Sequence, residues 1–164
     1  MEGAILGQMA RIGHSPRPLY NRRRMTTLAV DYGTRRIGIA VSTSGVLATP
    51  HSILPNEGDL AAAVDRIASI GDDVGADRYV VGLPRRSRSG ADDPALAPYR
   101  DLAAALGQKT RKEVILWDEG FSTTEAASKR RERGARSKRR GARTIDMEAA
   151  AIILQSFLDE SRRA

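Results

Sequence analysis

Hydrophobic and polar positions alternate in three short runs in the first third of the chain. The runs cover Thr27–Val30, Ile37–Ser42 and Val46–Ile53, and this alternation predicts a β-strand for each of them. The connections between the runs are short, and short connections join antiparallel neighbours. The sequence therefore predicts an antiparallel meander of three strands.

Helical and strand patterns follow one another in the rest of the chain. Asp59–Val74 carries apolar residues at helical spacing, and Arg78–Leu83 is a continuous apolar run, as in a buried strand. The order βββ-α-β-α-β-α-α predicts an α/β fold with a mixed sheet flanked by helices. The other predicted elements are a polar loop over Pro84–Asp93, a helix over Pro94–Gly107, a strand over Glu113–Trp117, a helix from Ser122 to about Gly134 that begins with a capping box, and a final helix over Ile145–Leu158.

Basic residues are concentrated in two segments, while the remainder of the chain is acidic. The 164 residues carry a formal net charge of +7, of which residues 1–24 contribute +4, residues 129–143 contribute +8 and all others −5. We interpret the two basic segments as the electrostatic footprint of a nucleic acid partner, RNA or DNA. Residues 1–24 show no sustained periodicity and are expected to form a disordered extension, so that residues 25–164 form a single domain.

Composition excludes several classes of site. The chain has no cysteine, which rules out disulfides and thiolate metal sites, so any metal ion must be held by oxygen or histidine. Aromatic residues make up 4% of the chain, which argues against a platform of aromatic rings for base stacking. Because no membrane-spanning run and no secretory signal are evident, a cytoplasmic protein without a membrane partner is expected.

Three acidic positions follow or begin predicted elements. Asp31 ends the first strand, Asp118-Glu119 follows the fifth strand, and Asp146 begins the last helix. Ligands of open α/β sheets bind beyond the carboxyl ends of strands, where two of these positions lie. Asp146 shares a helix face with Ala150 and Leu154, so it is expected at the rim of the core, one turn beyond the apolar contact.

Carboxylates that converge at one rim repel each other unless they bind cations. Mg²⁺ or Mn²⁺ suits such oxygen ligands, and two ions about 4 Å apart support hydrolysis of a phosphodiester. The spacing leaves alternatives open: Asp31 as a turn residue, Asp146 as a helix N-cap, and Asp118-Glu119 as a solvated strand end. It also leaves open which of Asp118 and Glu119 is the ligand.

Four segments resemble, in order and spacing, the motifs of the YqgF (RuvX) family within the RNase H-like superfamily. The resemblance covers about residues 27–160, and Gly120 stands where the family has an arginine. The four segments are Asp31-Tyr-Gly-Thr-Arg-Arg-Ile-Gly-Ile-Ala-Val-Ser42, Val80-Val-Gly-Leu-Pro84, Trp117-Asp-Glu-Gly-Phe-Ser-Thr-Thr-Glu-Ala126 and Asp146-Met-Glu-Ala-Ala-Ala-Ile-Ile-Leu-Gln155.

The resemblance implies an RNase H-like fold of five strands in the order 3-2-1-4-5, with the second strand antiparallel. It also implies a metal-dependent nuclease in which Asp31, Glu119 and Asp146 are the catalytic residues and metal ligands. The family has been proposed to process the 5′ end of precursor 16S rRNA and to resolve Holliday junctions. A precursor ribosomal particle is then an expected partner, and the protein is expected to be a monomer or a homodimer.

Eleven basic residues are expected to contact nucleic acid phosphates: Arg35, Arg85, Arg86, Arg88, Lys129, Arg130, Arg136, Lys138, Arg139, Arg140 and Arg143. Two other hypotheses are a non-catalytic nucleic-acid-binding module and an actin-like ATP-binding fold. The retained carboxylates argue against the first. The second shares the Asp-x-Gly-Thr opening but normally needs two such domains, for which 164 residues are too few.

Overall fold

The computed structural model describes residues 25–84, 93–118 and 142–163, with the backbone alone at residues 142–147. The strands are β1 (Thr27–Tyr32), β2 (Arg36–Ser42), β3 (Thr49–Pro55), β4 (Arg78–Leu83) and β5 (Glu113–Asp118). The helices are α1 (Leu60–Asp73), α2 (Ala97–Thr110), which follows a 3₁₀ turn at Pro94–Leu96, and α3 (Ala142–Ser161). No helix in these ranges is long and apolar enough to cross a bilayer.

The five strands form one mixed sheet in the order β3-β2-β1-β4-β5. β2 runs antiparallel to both β1 and β3, whereas β4 runs parallel to β1 and to β5. The register of β2 against β3 shifts between Ile39 and Ala40. The α/β class, the strand order and the antiparallel second strand are all confirmed.

Alternation along the strands divides the core into two layers. Leu28 and Val30 of β1 belong to the layer that packs under α1 and α2. Ala29, between them, belongs to the layer under α3, together with Val80 and Leu154. Because successive strand residues point to opposite faces, Asp31 occupies a position on the α3 face of the sheet, two residues after Ala29.

Several element boundaries differ from the predictions, among them the start of β3, the end of α2 and the start of α3. β3 begins at Thr49 and not at Val46, because the Ser44 hydroxyl accepts hydrogen bonds from the amides of Val46 and Leu47 and forms a turn there. Helix α2 continues past Gly107 to Thr110, since Arg111 itself adopts the left-handed conformation (φ 57°) that ends the helix. Helix α3 begins at Ala142, three residues before the predicted Ile145. The predicted helix that starts at Ser122, and residues 85–92 of the predicted loop, lie outside the described residues.

Tyr79 of β4 is fully buried beneath α1. Its hydroxyl has no hydrogen-bond partner in the described part of the chain. A Cβ atom at Gly71 would overlap this hydroxyl and lie 2.8 Å from Cζ of the same ring, so the ring fits because position 71 carries no side chain. Burial raises the pKa of the Tyr79 phenol, and the negative charge of Asp72 raises it further.

We expect Gly71→Ala to lower the free energy of unfolding by about 1–3 kcal/mol, because overpacking exceeds the helix propensity that alanine adds. Urea denaturation measures this difference. Adding Tyr79→Phe removes the worst overlap and is expected to restore part of the loss. Unchanged stability of Gly71→Ala would show that α1 and β4 do not meet as closely as described.

Tyr79→Phe alone tests the buried hydroxyl. Its removal is expected to leave stability unchanged or to increase it, since a buried, unpaired hydroxyl costs about 1–3 kcal/mol. The folded-state pKa of Tyr79 lies above the ordinary 10.0, so the unfolded chain loses this proton first. Stability contributed by the neutral phenol is therefore complete below pH 10.0 and is lost as the pH rises further. Alkaline denaturation should begin at higher pH in Tyr79→Phe than in the wild type.

Candidate active site

Asp31 lies at the carboxyl end of β1, the central strand of the sheet. The three residues before it, Leu28, Ala29 and Val30, are fully buried, whereas Asp31 is half-buried. In the ladder it lies opposite Gly38 of β2. The strand thus carries a carboxylate from the core to the rim of the sheet, as its position at the end of an apolar run predicts.

A tight turn holds the backbone next to Asp31. The Gly33 amide donates to the Arg36 carbonyl at 3.0 Å, and a Cβ at Gly33 would lie 2.7 Å from the same oxygen, so this close approach requires glycine. Asn56, just after β3, fixes the turn from outside: its side-chain Nδ2 donates to the Gly33 carbonyl at 2.7 Å and its amide to the Arg35 carbonyl at 3.0 Å.

An open cavity of about 390 Å³ lies beside this turn. Asp31 lines it together with Gly33, Thr34, Arg35 and Arg36. The structure therefore brings Arg35, an expected phosphate contact, next to the expected catalytic carboxylate. Arg36 lines the same cavity but was not singled out from the sequence, where it is one member of an Arg-Arg pair at the start of a strand.

The second acidic position lies at the same edge of the sheet. Trp117 of β5 pairs with Gly82 of β4, and Asp118 pairs with Leu83. Because β1, β4 and β5 run parallel, their carboxyl ends meet at one edge, and Asp118 ends β5 there. Glu119 is the next residue in the chain and lies outside the described residues.

Two contacts fix the direction of α3 across the sheet. Ile153 packs directly over Gly82, near the carboxyl end of β4, where a Cβ would overlap its Cδ1 atom. The Phe157 ring lies 4.8 Å from the guanidinium of Arg78, at the amino end of the same strand. Helix α3 therefore runs opposite to β4, and its N-terminal end is directed toward the edge that carries Asp31.

Asp146 lies in this N-terminal part of α3, about 10 Å before Ile153 along the helix axis. It is the fifth residue of the helix, because α3 already begins at Ala142. The expectation that Asp146 begins the helix, and with it the N-cap alternative, is therefore wrong. The position one turn before the fully buried Ala150 agrees with the predicted helix face.

Trp117 joins β5 to α3. Its indole Nε1 donates to Oγ of Ser156 at 3.2 Å, and its ring meets Phe157 edge-to-face with centroids 5.3 Å apart. This pair of contacts fixes the strand that leads to Asp118-Glu119 against the helix that carries Asp146.

Of the three expected metal ligands, the side chain of Asp31 is the one that the structure describes. Within the described ranges no three histidine, aspartate or glutamate side chains form a cluster that could hold a metal ion. All the expected phosphate contacts other than Arg35 also fall outside: Arg85, Arg86, Arg88, Lys129, Arg130, Arg136, Lys138, Arg139 and Arg140, together with the side chain of Arg143 in α3.

The sequence did not identify an aromatic pair that includes Tyr32, the residue after Asp31. The rings of Tyr32 and Tyr99 meet edge-to-face, with centroids 6.1 Å apart and planes at 84°. Burial raises the pKa of the Tyr99 phenol, and the negative charges of Asp31 and then Tyr32 raise it further. A low aromatic content does not show where the few rings lie. Adjacency to Asp31 could have drawn attention to Tyr32, whereas Tyr99 contacts Tyr32 through the fold alone.

We expect Asp31→Asn to lower the pKa of Tyr99 while leaving it above the ordinary 10.0, because burial, the larger cause, remains. The tyrosinate absorbance measured during an alkaline titration reports this change, and a Tyr99→Phe variant identifies which part of the signal belongs to Tyr99. An identical Tyr99 titration with and without the carboxylate would place Asp31 too far from the phenol to influence it.

Comparison with known proteins adds a family and a fold. The family model described as "RuvX: Holliday junction resolvase" matches residues 25–160. A protein of Mycobacteroides abscessus is 39% identical over 141 residues, covering 83% of this chain and 82% of its own. A protein of Streptomyces avermitilis is 38% identical over 142 residues, covering 85% and 89%. Both relatives carry the name "Putative pre-16S rRNA nuclease".

Among solved structures, RuvC of T. thermophilus in complex with a Holliday junction substrate superposes with a TM-score of 0.57. The match covers 84% of this chain and 96% of that one at 11% sequence identity, so it shows a shared fold. RuvC solved without such a substrate gives a TM-score of 0.52 at 12% identity. The RNase H-like architecture expected from the sequence is thereby confirmed.

Proposed function

This chain belongs to the RuvX family and is a nuclease, and we propose that it hydrolyses the phosphodiester backbone with divalent cations bound at Asp31. The observation that carries the proposal is the convergence of three elements. Strands β1 and β5 end at the same edge of the sheet, and the N-terminal end of α3 is directed toward that edge. At this edge a half-buried carboxylate lines an open cavity together with Arg35.

Asp31, Glu119 and Asp146 are proposed as both the metal ligands and the catalytic residues. Their oxygen donors fit Mg²⁺ or Mn²⁺, and the ligand number suits two ions. Glu119 follows Asp118 directly in the chain, and the direction of α3 brings Asp146 toward the same edge. A bound divalent cation supplies a more acidic water and offsets the negative charge that develops on the phosphate.

The chain's own residues orient the substrate at this site. Partial burial and the turn held by Asn56 fix Asp31, so its carboxylate does not have to be ordered when substrate binds. Arg35 offers a guanidinium beside it for a phosphate of the bound strand. The arginines after Pro84 and those within residues 129–143 extend this attraction along the backbone, which sets position and register without reading sequence.

The proposed substrate is the 5′ region of precursor 16S rRNA, within a precursor ribosomal particle in the cytoplasm. The names carried by relatives at 38% and 39% identity support this choice. A Holliday junction is the second candidate, because the matching family model is described as a resolvase. We assign the activity to a domain of residues 25–164 that acts as a monomer or a homodimer, with residues 1–24 as a disordered basic extension.

The first test compares cleavage by the wild type and Asp31→Asn in Mn²⁺ or Mg²⁺, on an end-labelled RNA leader of precursor 16S rRNA and on a four-way DNA junction. We expect the variant to lose about 100-fold or more in rate, since it removes a charged ligand while keeping the side-chain size. Asp72→Asn is the matched control. Asp72 is a solvent-exposed carboxylate at the end of α1, remote from the cavity, and this change should leave cleavage unaltered.

The two substrates separate the two candidate functions. Faster cleavage of the RNA leader supports rRNA processing, and faster cleavage of the junction supports resolution. Tight binding without cleavage of either substrate, in either metal, would overturn the catalytic proposal and leave a nucleic-acid-binding module.

A separate prediction concerns the basic segment of residues 129–143 and the salt dependence of nucleic acid binding. Replacing Arg139 and Arg140 with glutamine should reduce the slope of log Kd against log salt concentration by about 0.7 for each phosphate of single-stranded RNA that the variant no longer neutralises. Fluorescence anisotropy at several salt concentrations measures the slope. As a control, Arg66→Gln combined with Arg162→Gln removes two exposed arginines outside the cavity lining and should leave the slope unchanged. Equal slopes for all three proteins would exclude the segment from the interface.

A further inference from the structure

Arg36 is the first residue of β2, and its backbone is fixed on both sides. Its carbonyl accepts a hydrogen bond from the Gly33 amide at 3.0 Å, and Arg36 pairs with Pro55 of β3 in the ladder. Its side chain is exposed and lines the open cavity beside Asp31. An arginine with a fixed backbone therefore borders this cavity from the strand next to β1.

Strand alternation assigns Arg36 to the same face of the sheet as Asp31. Along β2, Ile37 belongs to the core layer under α1 and α2, whereas Ala40 belongs to the layer under α3. Arg36 is four residues before Ala40 and therefore occupies a position on the α3 face. Asp31 occupies the same face, because it follows Ala29 of the α3 layer by two residues on β1.

The register of β1 against β2 brings the two positions within reach of each other. Asp31 lies opposite Gly38, and Arg36 lies two residues from Gly38 in the direction of the rim. Such diagonal neighbours on one face of an antiparallel pair are about 7–8 Å apart, a distance that a long side chain spans. Because Gly38 has no side chain, Arg36 carries the first side chain of β2 on this face between Asp31 and the rim.

An acidic centre that cleaves nucleic acid must hold a phosphate close to carboxylates that repel it. A guanidinium stays protonated throughout the ordinary pH range, and its planar N–H donors bind two phosphate oxygens at once. Since Arg36 starts from a paired strand residue, the sheet itself fixes where this side chain begins relative to Asp31. Its position and its chemistry both suit a phosphate bound beside the carboxylate.

We propose that Arg36 binds the substrate phosphate beside Asp31, with its guanidinium donating two hydrogen bonds to the non-bridging oxygens. This inference deepens the proposed nuclease function and depends on it. It adds a contact from β2 to the contact proposed for Arg35, and it makes the α3 face of the sheet the side on which the substrate strand lies.

The first test is cleavage of the end-labelled RNA leader by Arg36→Gln and Arg36→Lys. We expect kcat/KM to fall about 10- to 100-fold in Arg36→Gln, since hydrogen bonds between two charged groups are lost. Arg36→Lys keeps the charge but lacks the planar fork, so it should regain affinity and only part of the cleavage rate. Full wild-type cleavage by Arg36→Lys would overturn the bidentate contact.

The second test measures binding of the same RNA in EDTA, without cleavage, by fluorescence anisotropy at several salt concentrations. The slope of log Kd against log salt concentration should be smaller by about 0.7 in Arg36→Gln, which neutralises one phosphate fewer of the single strand. Arg36→Lys should keep the wild-type slope. A merely structural role of Arg36 would leave the slope unchanged in both variants.

Arg162→Gln is the matched control, because it removes the same charge from an exposed side chain. Arg162 lies 3.9 Å from Asp159 just after α3, at the end of the helix that is directed away from the cavity. Cleavage and salt slope should both equal those of the wild type. The proposed contact is overturned if Arg36→Gln behaves like this control, or if its loss of activity accompanies a lower melting temperature and an unchanged salt slope.

Failure of this inference and failure of the proposed function give different results. A wild-type protein that binds the RNA leader but never cleaves it overturns the catalytic proposal, whereas the salt slopes still decide whether Arg36 holds a phosphate. Cleavage by the wild type that Arg36→Gln retains in full, with an unchanged slope, overturns the role of Arg36 alone.

Discussion

The close approach of α3 to the sheet at Gly82 is the constraint on which the site depends. Ile153 fits over this position because there is no side chain beneath it, and the contacts of Phe157 with Arg78 and Trp117 then fix the rest of the helix axis. A side chain at position 82 would overlap Ile153, so that this side chain or α3 itself would have to shift. A shift of α3 would move its N-terminal part, which carries Asp146, away from the ends of β1 and β5. The same contact therefore determines both the packing of the core and the position of the proposed catalytic groups.

The electrostatic arrangement at the edge balances opposite requirements. A half-buried Asp31 is a better cation ligand than an exposed one, because competing water is reduced, but it also repels the phosphates of a substrate more strongly. Arg35 and Arg36 line the same cavity, so two guanidinium groups stand beside the carboxylate although the body of the chain is acidic. Such a distribution draws the backbone of a nucleic acid toward the one place where hydrolysis is proposed.

Structural features that depend on the local sequence pattern were predicted correctly, whereas features that depend on tertiary contacts were missed. Alternation located the strands, an apolar run located the strand end at Asp31, and the family resemblance supplied the strand order. The start of β3 was wrong because the Ser44 hydroxyl forms a turn, and the end of α2 was wrong because Arg111 takes a conformation expected of glycine. No local signal could bring Tyr99 to Tyr32, because the two rings meet through the packing of α2 on the sheet. Asp31, Glu119 and Asp146 as ligands stay predictions.

The edge strand β3 has a further consequence, for self-association. A sheet edge with free amides and carbonyls accepts another strand, and proline and irregular register are two ways in which proteins prevent this. Pro50 and Pro55 remove two amide donors from β3, and its register against β2 shifts midway. The other edge of the described sheet, β5, contains no proline and runs straight through Glu113–Asp118. A strand that paired with β5 would lie next to the proposed catalytic end of the sheet, so that such pairing would compete with binding of the nucleic acid.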